Sequence, residues 1–314
     1  MVGSEVTTTP QRTTRTTSNN QTKKDIPVME QVDIEALADR CLKLLKESQN
    51  ENHQAADGCT GFNCYQQIFI GIAGGPGSGK STIAEQVRDL INQRNPNGDK
   101  SRHECAVVGM DGYHLSRHQL KEKVDAGDLF KTDQVAEDGK PVWKKFTFEE
   151  VMARRGAAFT FDPQGFINDL QKIRETGEGS MPVYSREKHD PVPDENFVTQ
   201  DNKIILVEGL YLLCFDDPNW KPLGDLWDDK WYIDVSAEET KKRLVKRHLK
   251  TWDDAKTKQW GGNDEAAAAR KAEANDLKNA RCIEKNSKNN ANLIIRNEGV
   301  PEDDTNNADT EAAT

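Results

Sequence analysis

Residues Gly74, Gly75, Pro76, Gly77, Ser78, Gly79, Lys80, Ser81 and Thr82 spell GGPGSGKST, a complete G-x-x-x-x-G-K-[ST] pattern. Glycines suit this task because only a chain without Cβ atoms can curl its N–H groups around phosphate oxygens, and the helix that follows adds its positive dipole end. Lys80 then offers a point charge to β- and γ-phosphates, and the Ser81 hydroxyl is a ligand for Mg²⁺. A Rossmann dinucleotide site is disfavoured, since its fingerprint lacks the Lys-Ser pair. Two carboxylates accompany the loop. Ile204 to Glu208 is an apolar run ending in an acid, which reads as a Mg²⁺ partner beside the loop or as a simple strand end. Val107 to Asp111 ends in the same way, and a carboxylate at the C-terminal end of a neighbouring strand points into the crevice where such sheets bind ligands. Asp111 is placed there to accept the proton of an attacking hydroxyl; its rival reading is an Asp-Gly turn. No Asn-Lys-x-Asp guanine-reading motif occurs, which lowers a GTPase in the ranking.

These groups need a scaffold, and the apolar pattern supplies one. Short apolar runs at Gln67 to Ala73, Glu104 to Met110, Lys203 to Val207, Lys230 to Val235 and Asn292 to Arg296 read as buried parallel strands. Helical patterns between them, such as Ser81 to Asn92 and Phe166 to Glu175, predict an α/β fold: a five-stranded parallel sheet covered on both faces. An amphipathic helix from Asp33 to Leu45, with Asp33 as N-cap, precedes this core and is expected on its edge. Residues 1–28 read as a polar tail, 29–66 as that helix and a linker, 67–297 as the nucleotide-binding domain, and 298–314 as an acidic tail. Within the domain, 117–147 is charged and weakly periodic and reads as an insertion, and 236–260 as a lid region.

Composition narrows the partners. The chain carries 43 basic and 53 acidic residues among 314, a net charge of −10, so bulk charge argues against nucleic acid or an anionic membrane. No apolar run long enough to span a bilayer and no secretory h-region is present, which leads to an expectation of cytoplasmic residence. Six scattered cysteines lack metal or redox spacing and are expected to be reduced thiols.

The ordered set GGPGSGKST, MDGYHL, RRGAAFTFD, PVYSREKHDPVP, ILVEGLYLL and RLVKRH, spread from about Ile68 to Arg296, resembles the phosphoribulokinase, uridine kinase and pantothenate kinase group of P-loop kinases. Within that group the chain is most similar to a branch of ATP-dependent small-molecule kinases of fungi and bacteria. The resemblance implies ATP and Mg²⁺ as cofactors, Asp111 as catalytic base and Glu208 as the Walker B acid. It further implies that Tyr113, His114, Asp162 and the segment from Tyr184 to Asp190, with Tyr184, Arg186 and His189, contact the phosphate acceptor. Arg243 and Arg247 fall in the family's lid helix, which closes over the phosphates; Arg247 thereby joins Lys80 and Asp111 in the expected catalytic set.

Several of these residues have structural readings as well. Asp162 before Pro163 is also a helix N-cap followed by proline at the first helical position. Ser236 and Glu239 form a capping-box pattern that would start the lid helix and place Arg243 and Arg247 on one face. Ser185, where uridine kinases usually have Asp, and Arg186, where bacterial pantothenate kinases usually have His, support neither substrate. The expected activity is transfer of the γ-phosphoryl group of Mg-ATP to a hydroxyl of a small metabolite, by a monomer or homodimer. The alternative is a regulatory ATP-binding protein without transfer.

Overall fold

The structure, a computed structural model, describes residues 25–54, 66–94, 104–135, 140–185 and 187–299. Its centre is a six-stranded parallel sheet in the order β1-β10-β9-β2-β8-β3. The strands are β1 (Val28–Met29), β2 (Ile68–Gly74), β3 (Cys105–Gly109), β8 (Ile204–Gly209), β9 (Asp229–Asp234) and β10 (Leu293–Arg296). Outside it lie the antiparallel hairpins β4 (Phe130–Val135) with β5 (Pro141–Lys144), and β6 (Gly179–Ser185) with β7 (Asp190–Val198). The helices are α1 (Ile34–Gln54), α2 (Lys80–Gln93), α3 (Arg117–Asp125), α4 (Phe148–Ala153), α5 (Pro163–Thr176), α6 (Ala237–Leu249), α7 (Asp254–Trp260), α8 (Glu265–Lys271) and α9 (Leu277–Ser287). A π-helical segment, Ala272–Asp276, joins α8 to α9.

Alternation along each strand explains why the apolar runs are continuous. Ile68, Ile70 and Ile72 of β2 point to one face with Ile204 and Leu206 of β8, where α1 and α2 cover them through Leu37, Cys41, Ile83 and Val87. Phe69, Ala73, Ile205 and Val207 point to the other face, under Phe166, Leu170 and Ile173 of α5 and Ile283 of α9. A sheet buried on both sides needs apolar residues at both parities.

All five anticipated strands form, and β1 adds a sixth at the edge. Val28 and Met29 pair with Ile294 and Ile295, so the sheet begins within the boundary of the expected tail. Two residues are too few for any periodicity to show. The described residues of 117–147 lie outside the sheet, and Leu120 and Phe130 among them pack with the flanking Leu115 and Val151 into a small separate core.

Helix α1 is fixed by a charge pair as well as by its apolar stripe. Arg40 donates from Nε and Nη2 to the two oxygens of Asp229 at 2.6 and 3.0 Å, and the Trp231 indole donates to Asp229 Oδ2 at 2.7 Å. Asp229 is 2% exposed. Asp229→Ala leaves the buried indole and the guanidinium unmatched, and is expected to lower unfolding free energy by roughly 2–4 kcal/mol. Chemical denaturation checks this; an unchanged midpoint would mean that α1 docks through its apolar face alone.

Candidate active site

Strand β2 ends at Gly74 and α2 begins at Lys80, so the five residues between must turn the chain within one loop. Gly77 and Gly79 take positive φ angles of 78° and 91°. At Gly79 a Cβ would also stand 2.5 Å from Asn297 Nδ2, which donates to Ser78 O at 2.8 Å and ties the loop to the residue after β10. The Lys80 side chain folds back over the loop and donates from Nζ to Gly75 O at 3.0 Å, with Ser78 Oγ at 3.5 Å. Burial lowers the pKa of its amine, which Arg247 reinforces, while Glu208 and Asp111 oppose the shift. Lys80, Glu208, Asp111 and Arg247 therefore share one electrostatic neighbourhood, reached from β2, β8, β3 and α6.

Glu208 sits where β8 and β3 run side by side, its partner in register being Gly109. It accepts a hydrogen bond from the Ser81 hydroxyl. Burial first, and Asp111 second, push its carboxyl up to about 7, against the pull of Lys80 and Ser81. Two carboxylates and a hydroxyl face each other here, with Lys80 the cation closest in effect. This donor set suits a hard divalent cation, which would relieve the repulsion between the acids. No cluster of three or more His, Cys, Asp or Glu side chains forms a protein-only cage among the described residues, so such an ion would take further ligands from phosphates and water.

The Glu208 shift has a consequence for stability in the absence of ligand. A carboxyl that binds its proton more tightly when folded contributes fully below its ordinary value of 4.5, and that contribution is lost as pH rises through about 7. Glu208→Gln should remove this dependence: relative to the variant, the parent protein should lose stability between pH 4.5 and 7. Denaturation midpoints measured across that range without nucleotide or metal test it, and parallel curves would refute it.

Where the sequence reading expects the acceptor, β3 runs into a tight turn, Met110–Tyr113, that presents Asp111 to solvent. The turn lies directly on β6: a Cβ at Gly112 would stand 1.9 Å from Pro182 O, so only glycine fits. His114 donates from Nδ1 to the Asp111 carbonyl at 2.8 Å, and its ring packs on Phe161 and Tyr184 with centroids 4.0 and 4.9 Å away. Burial lowers its pKa, leaving a neutral ring whose Nε2 is an acceptor. Tyr184 is thus brought into one cluster with His114, next to Asp111.

Other expected acceptor residues are placed differently. Tyr113 is 6% exposed, packs edge-on to Phe166 at 5.0 Å and donates its hydroxyl to Asp169 at 2.6 Å, so it belongs to the core under α5 rather than to the acceptor side. Asp162 caps α5, accepting from Gly165 N at 3.0 Å, and its own amide donates to Tyr113 O at 2.8 Å. Its structural reading is realised, with the carboxylate still exposed. His189 is exposed at the tip of the β6–β7 hairpin, where its φ of 53° marks a turn position. Arg186 lies outside the described residues.

The two lid arginines part company. Arg243 donates to Glu239 at 2.6 Å, to Asn297 O at 2.7 Å and to Gly77 O at 3.5 Å, so it staples the phosphate loop and has its donors engaged. It does not reach over the loop as a clamp. Arg247 stays half-exposed, 3.8 Å from Asp276, and close enough to Lys80 to affect its titration. The capping box at Ser236 is only half formed: Ser236 Oγ accepts from Glu239 N at 3.3 Å, but the reciprocal bond to Ser236 N comes from Glu298 at 2.7 Å. Glu239 is occupied by Arg243.

Three contributors were given no individual role from the sequence, although Tyr211 lies in ILVEGLYLL and Asp190 in PVYSREKHDPVP. Asn297 links Arg243 to the phosphate loop. Tyr211 donates to Gly156 O at 2.8 Å and so holds the turn after α4. Asp190 accepts from Arg117 N at 2.9 Å and Arg155 Nη2 at 3.1 Å, joining α3, that turn and β7. Each acts through a partner far away in the chain.

Comparison with known proteins agrees with this geometry. The profile of the Phosphoribulokinase / Uridine kinase family matches residues 69–252, more than half of the chain. The Aspergillus versicolor ATP-dependent kinase-like protein notR′ is 33% identical over 145 residues, 45% of this chain and 71% of its own. The Schizosaccharomyces pombe protein C227.14, named as a candidate uridine kinase, is 29% identical over 223 residues, 70% of this chain and 80% of its own. Among solved structures, YFH7 of Saccharomyces cerevisiae, described as a P-loop containing kinase with a circular permutation, superposes with a TM-score of 0.62. It shares 22% identity, covering 85% of this chain and all of that one. A candidate fructose transport system kinase from Silicibacter sp. TM1040 gives 0.59 at 24% identity, covering 84% of this chain and 98% of its own. At these identities the two structures speak to the fold.

Proposed function

The chain belongs to the phosphoribulokinase / uridine kinase family of P-loop kinases, and from that premise we propose that it transfers the γ-phosphoryl group of Mg-ATP to the hydroxyl of a small metabolite. The observation that carries this reading is the convergence of Lys80, at the start of α2, with Glu208 and Asp111 at the C-terminal ends of the adjacent strands β8 and β3. A site that only held nucleotide would need the first two. Asp111 stands beyond them, exposed, beside the His114–Tyr184 cluster.

In this mechanism the loop amides and Lys80 would bind the β- and γ-phosphates, Ser81 and Glu208 would hold Mg²⁺, and Arg247 would close from the lid side. The bound ion would supply charge neutralisation at the phosphates. An acceptor hydroxyl hydrogen-bonded to Asp111 attacks the γ-phosphorus: its O–P bond forms, the bond from phosphorus to the β-bridging oxygen breaks, and ADP leaves. The hydroxyl proton passes to the Asp111 carboxylate. Most of the acceleration comes from in-line positioning and fixed charge, because the transition state is loose and demands little covalent chemistry from the protein.

Nucleosides, sugars, glycerate and pantothenate offered with Mg-ATP, with products read by mass for one added phosphate, test the proposal. A phosphorylated acceptor formed with stoichiometric ADP is the expected result. ATP turnover without such a product across the panel would refute it.

A further inference from the structure

The turn after α4, Arg154 to Gly156, is anchored from three sides. Asn275 of the π-helical segment donates to Arg155 O at 2.8 Å, the Tyr211 hydroxyl donates to Gly156 O at 2.8 Å, and Gly156 N donates to Thr160 Oγ1 at 3.0 Å. The Arg155 backbone is therefore held still, while its side chain reaches inward and is only 12% exposed. Its guanidinium meets Asp190 through Nη2 at 3.1 Å and lies across the Tyr184 ring, 5.6 Å from the centroid. Nε and Nη1 are buried and bond no acceptor among the described residues.

A guanidinium that has left water needs its donors matched and its charge balanced. Asp190 supplies neither in full: it is 31% exposed in its side chain, it takes one nitrogen of Arg155, and the same oxygen also accepts from Arg117 N. Were Arg155 only a strut between this turn and the β6–β7 hairpin, a carboxylate spanning the fork would satisfy it, as Asp229 does for Arg40. The unmatched donors instead belong to a side chain that shares the Tyr184 ring with His114, which is bonded to the Asp111 carbonyl: the ring centroid is 5.6 Å from the Arg155 guanidinium and 4.9 Å from the imidazole. Arg155 is close enough to His114 to lower its pKa. The nucleotide's phosphates have their own cations in Lys80 and Arg247.

We propose that Arg155 is the anion-recognition residue of the acceptor site, and that the metabolite phosphorylated here carries a carboxylate or phosphate group which Arg155 binds while its hydroxyl lies at Asp111. This deepens the kinase reading and rests on it. Rotation of the half-buried Tyr184 ring opens Nε and Nη1 to the ligand, whose charged oxygens form stronger bonds to them than a neutral hydroxyl would.

Matched acceptors test this, with Mg-AMP-PNP saturating the phosphate loop so that anions are read elsewhere: glycerol against D-glycerate and glycerol 3-phosphate, ribose against ribose 5-phosphate, pantothenol against pantothenate. Calorimetric titration is expected to show at least one anionic member binding at least tenfold more tightly than its neutral partner. The carboxylate and phosphate arms tell which group is read. Arg155→Gln should erase that advantage while Mg-AMP-PNP affinity stays within about twofold; with ATP, it should raise the KM of the anionic acceptor more than it lowers kcat. If Arg155→Gln fails to fold because Asp190 is orphaned, Arg155→Gln with Asp190→Asn removes both charges and should fold and be blind to the anion. No anion preference in the parent protein, no binding by any probe, or a preference that survives either variant overturns the assignment. Anion binding that depends on Arg155 without any product from ATP would keep the subsite and sink the kinase reading, whereas products from neutral acceptors alone would do the reverse.

Discussion

Lys80→Ala should abolish phosphoryl transfer and strip most Mg-ATP affinity while leaving the protein folded. Among the described residues the Nζ group bonds only loop atoms, Gly75 O and Ser78 Oγ, and no apolar cluster includes the side chain. Its loss therefore costs the fold little. The site loses much more: Lys80 is the cation that both Glu208 and Asp111 feel, so its removal leaves two acids facing incoming phosphates with Arg247 alone to offset them. Removing one preorganised donor aimed at developing charge commonly costs 10²- to 10³-fold, and a full charge in a dry cradle should cost at least about 10³-fold. Single-turnover transfer to an identified acceptor gives the rate. Thermal shift by Mg-ATP gives the binding, and a shift equal to that of the parent would show that the nucleotide does not use this loop. Conversely, a melting temperature that collapses without ligand would mean that the amine is a structural strut.

How much of this could be read from the residue string depends on the range over which each feature is decided. Strands β2, β3, β8, β9 and β10 are legible because a sheet covered on both faces forces continuous apolar runs, and Asp111 and Glu208 are legible because they end such runs. Helical spacing also places Arg243 and Arg247 on one face of α6. It does not say what meets that face. Gly77 O and Asn297 O, 166 and 54 positions away, take up Arg243 and turn an expected clamp into a staple. Glu298 displaces Glu239 from the capping box in the same manner, from 62 positions away. Tyr113 looks like a site residue because it follows Asp111, yet the turn Met110–Tyr113 sends neighbouring side chains to opposite sides, one to solvent and one to Asp169. The anchoring of Arg155 by Asn275, 120 positions on, has no local signature at all.

Asp111→Asn should separate chemistry from binding. The amide keeps the size and one oxygen of the carboxylate, so the turn resting on Pro182 and the His114 bond to the Asp111 carbonyl should persist, as both involve backbone rather than the replaced group. Mg-ATP affinity should stay within a few-fold, because the loop and Lys80 are untouched. Transfer should fall by roughly 10²- to 10⁴-fold, the usual worth of a positioned general base. Two side effects accompany the change: Asp111 raises the pKa of Glu208, so neutralising it lets Glu208 ionise at lower pH, and it also takes one carboxylate from the donor set around Ser81. Mg-ATP affinity measured on the same variant separates a lost base from a weakened metal site. In a loose transition state the hydroxyl proton leaves late, which places the expected loss nearer 10² if Asp111 chiefly orients the acceptor and nearer 10⁴ if it takes the proton. The size of the loss in single-turnover transfer tells these apart. Wild-type turnover in Asp111→Asn on an identified acceptor would remove Asp111 from the mechanism and move the base assignment to Asp162, the exposed carboxylate whose backbone is bonded to Tyr113 O. Loss of Mg-ATP binding instead would assign Asp111 to the metal.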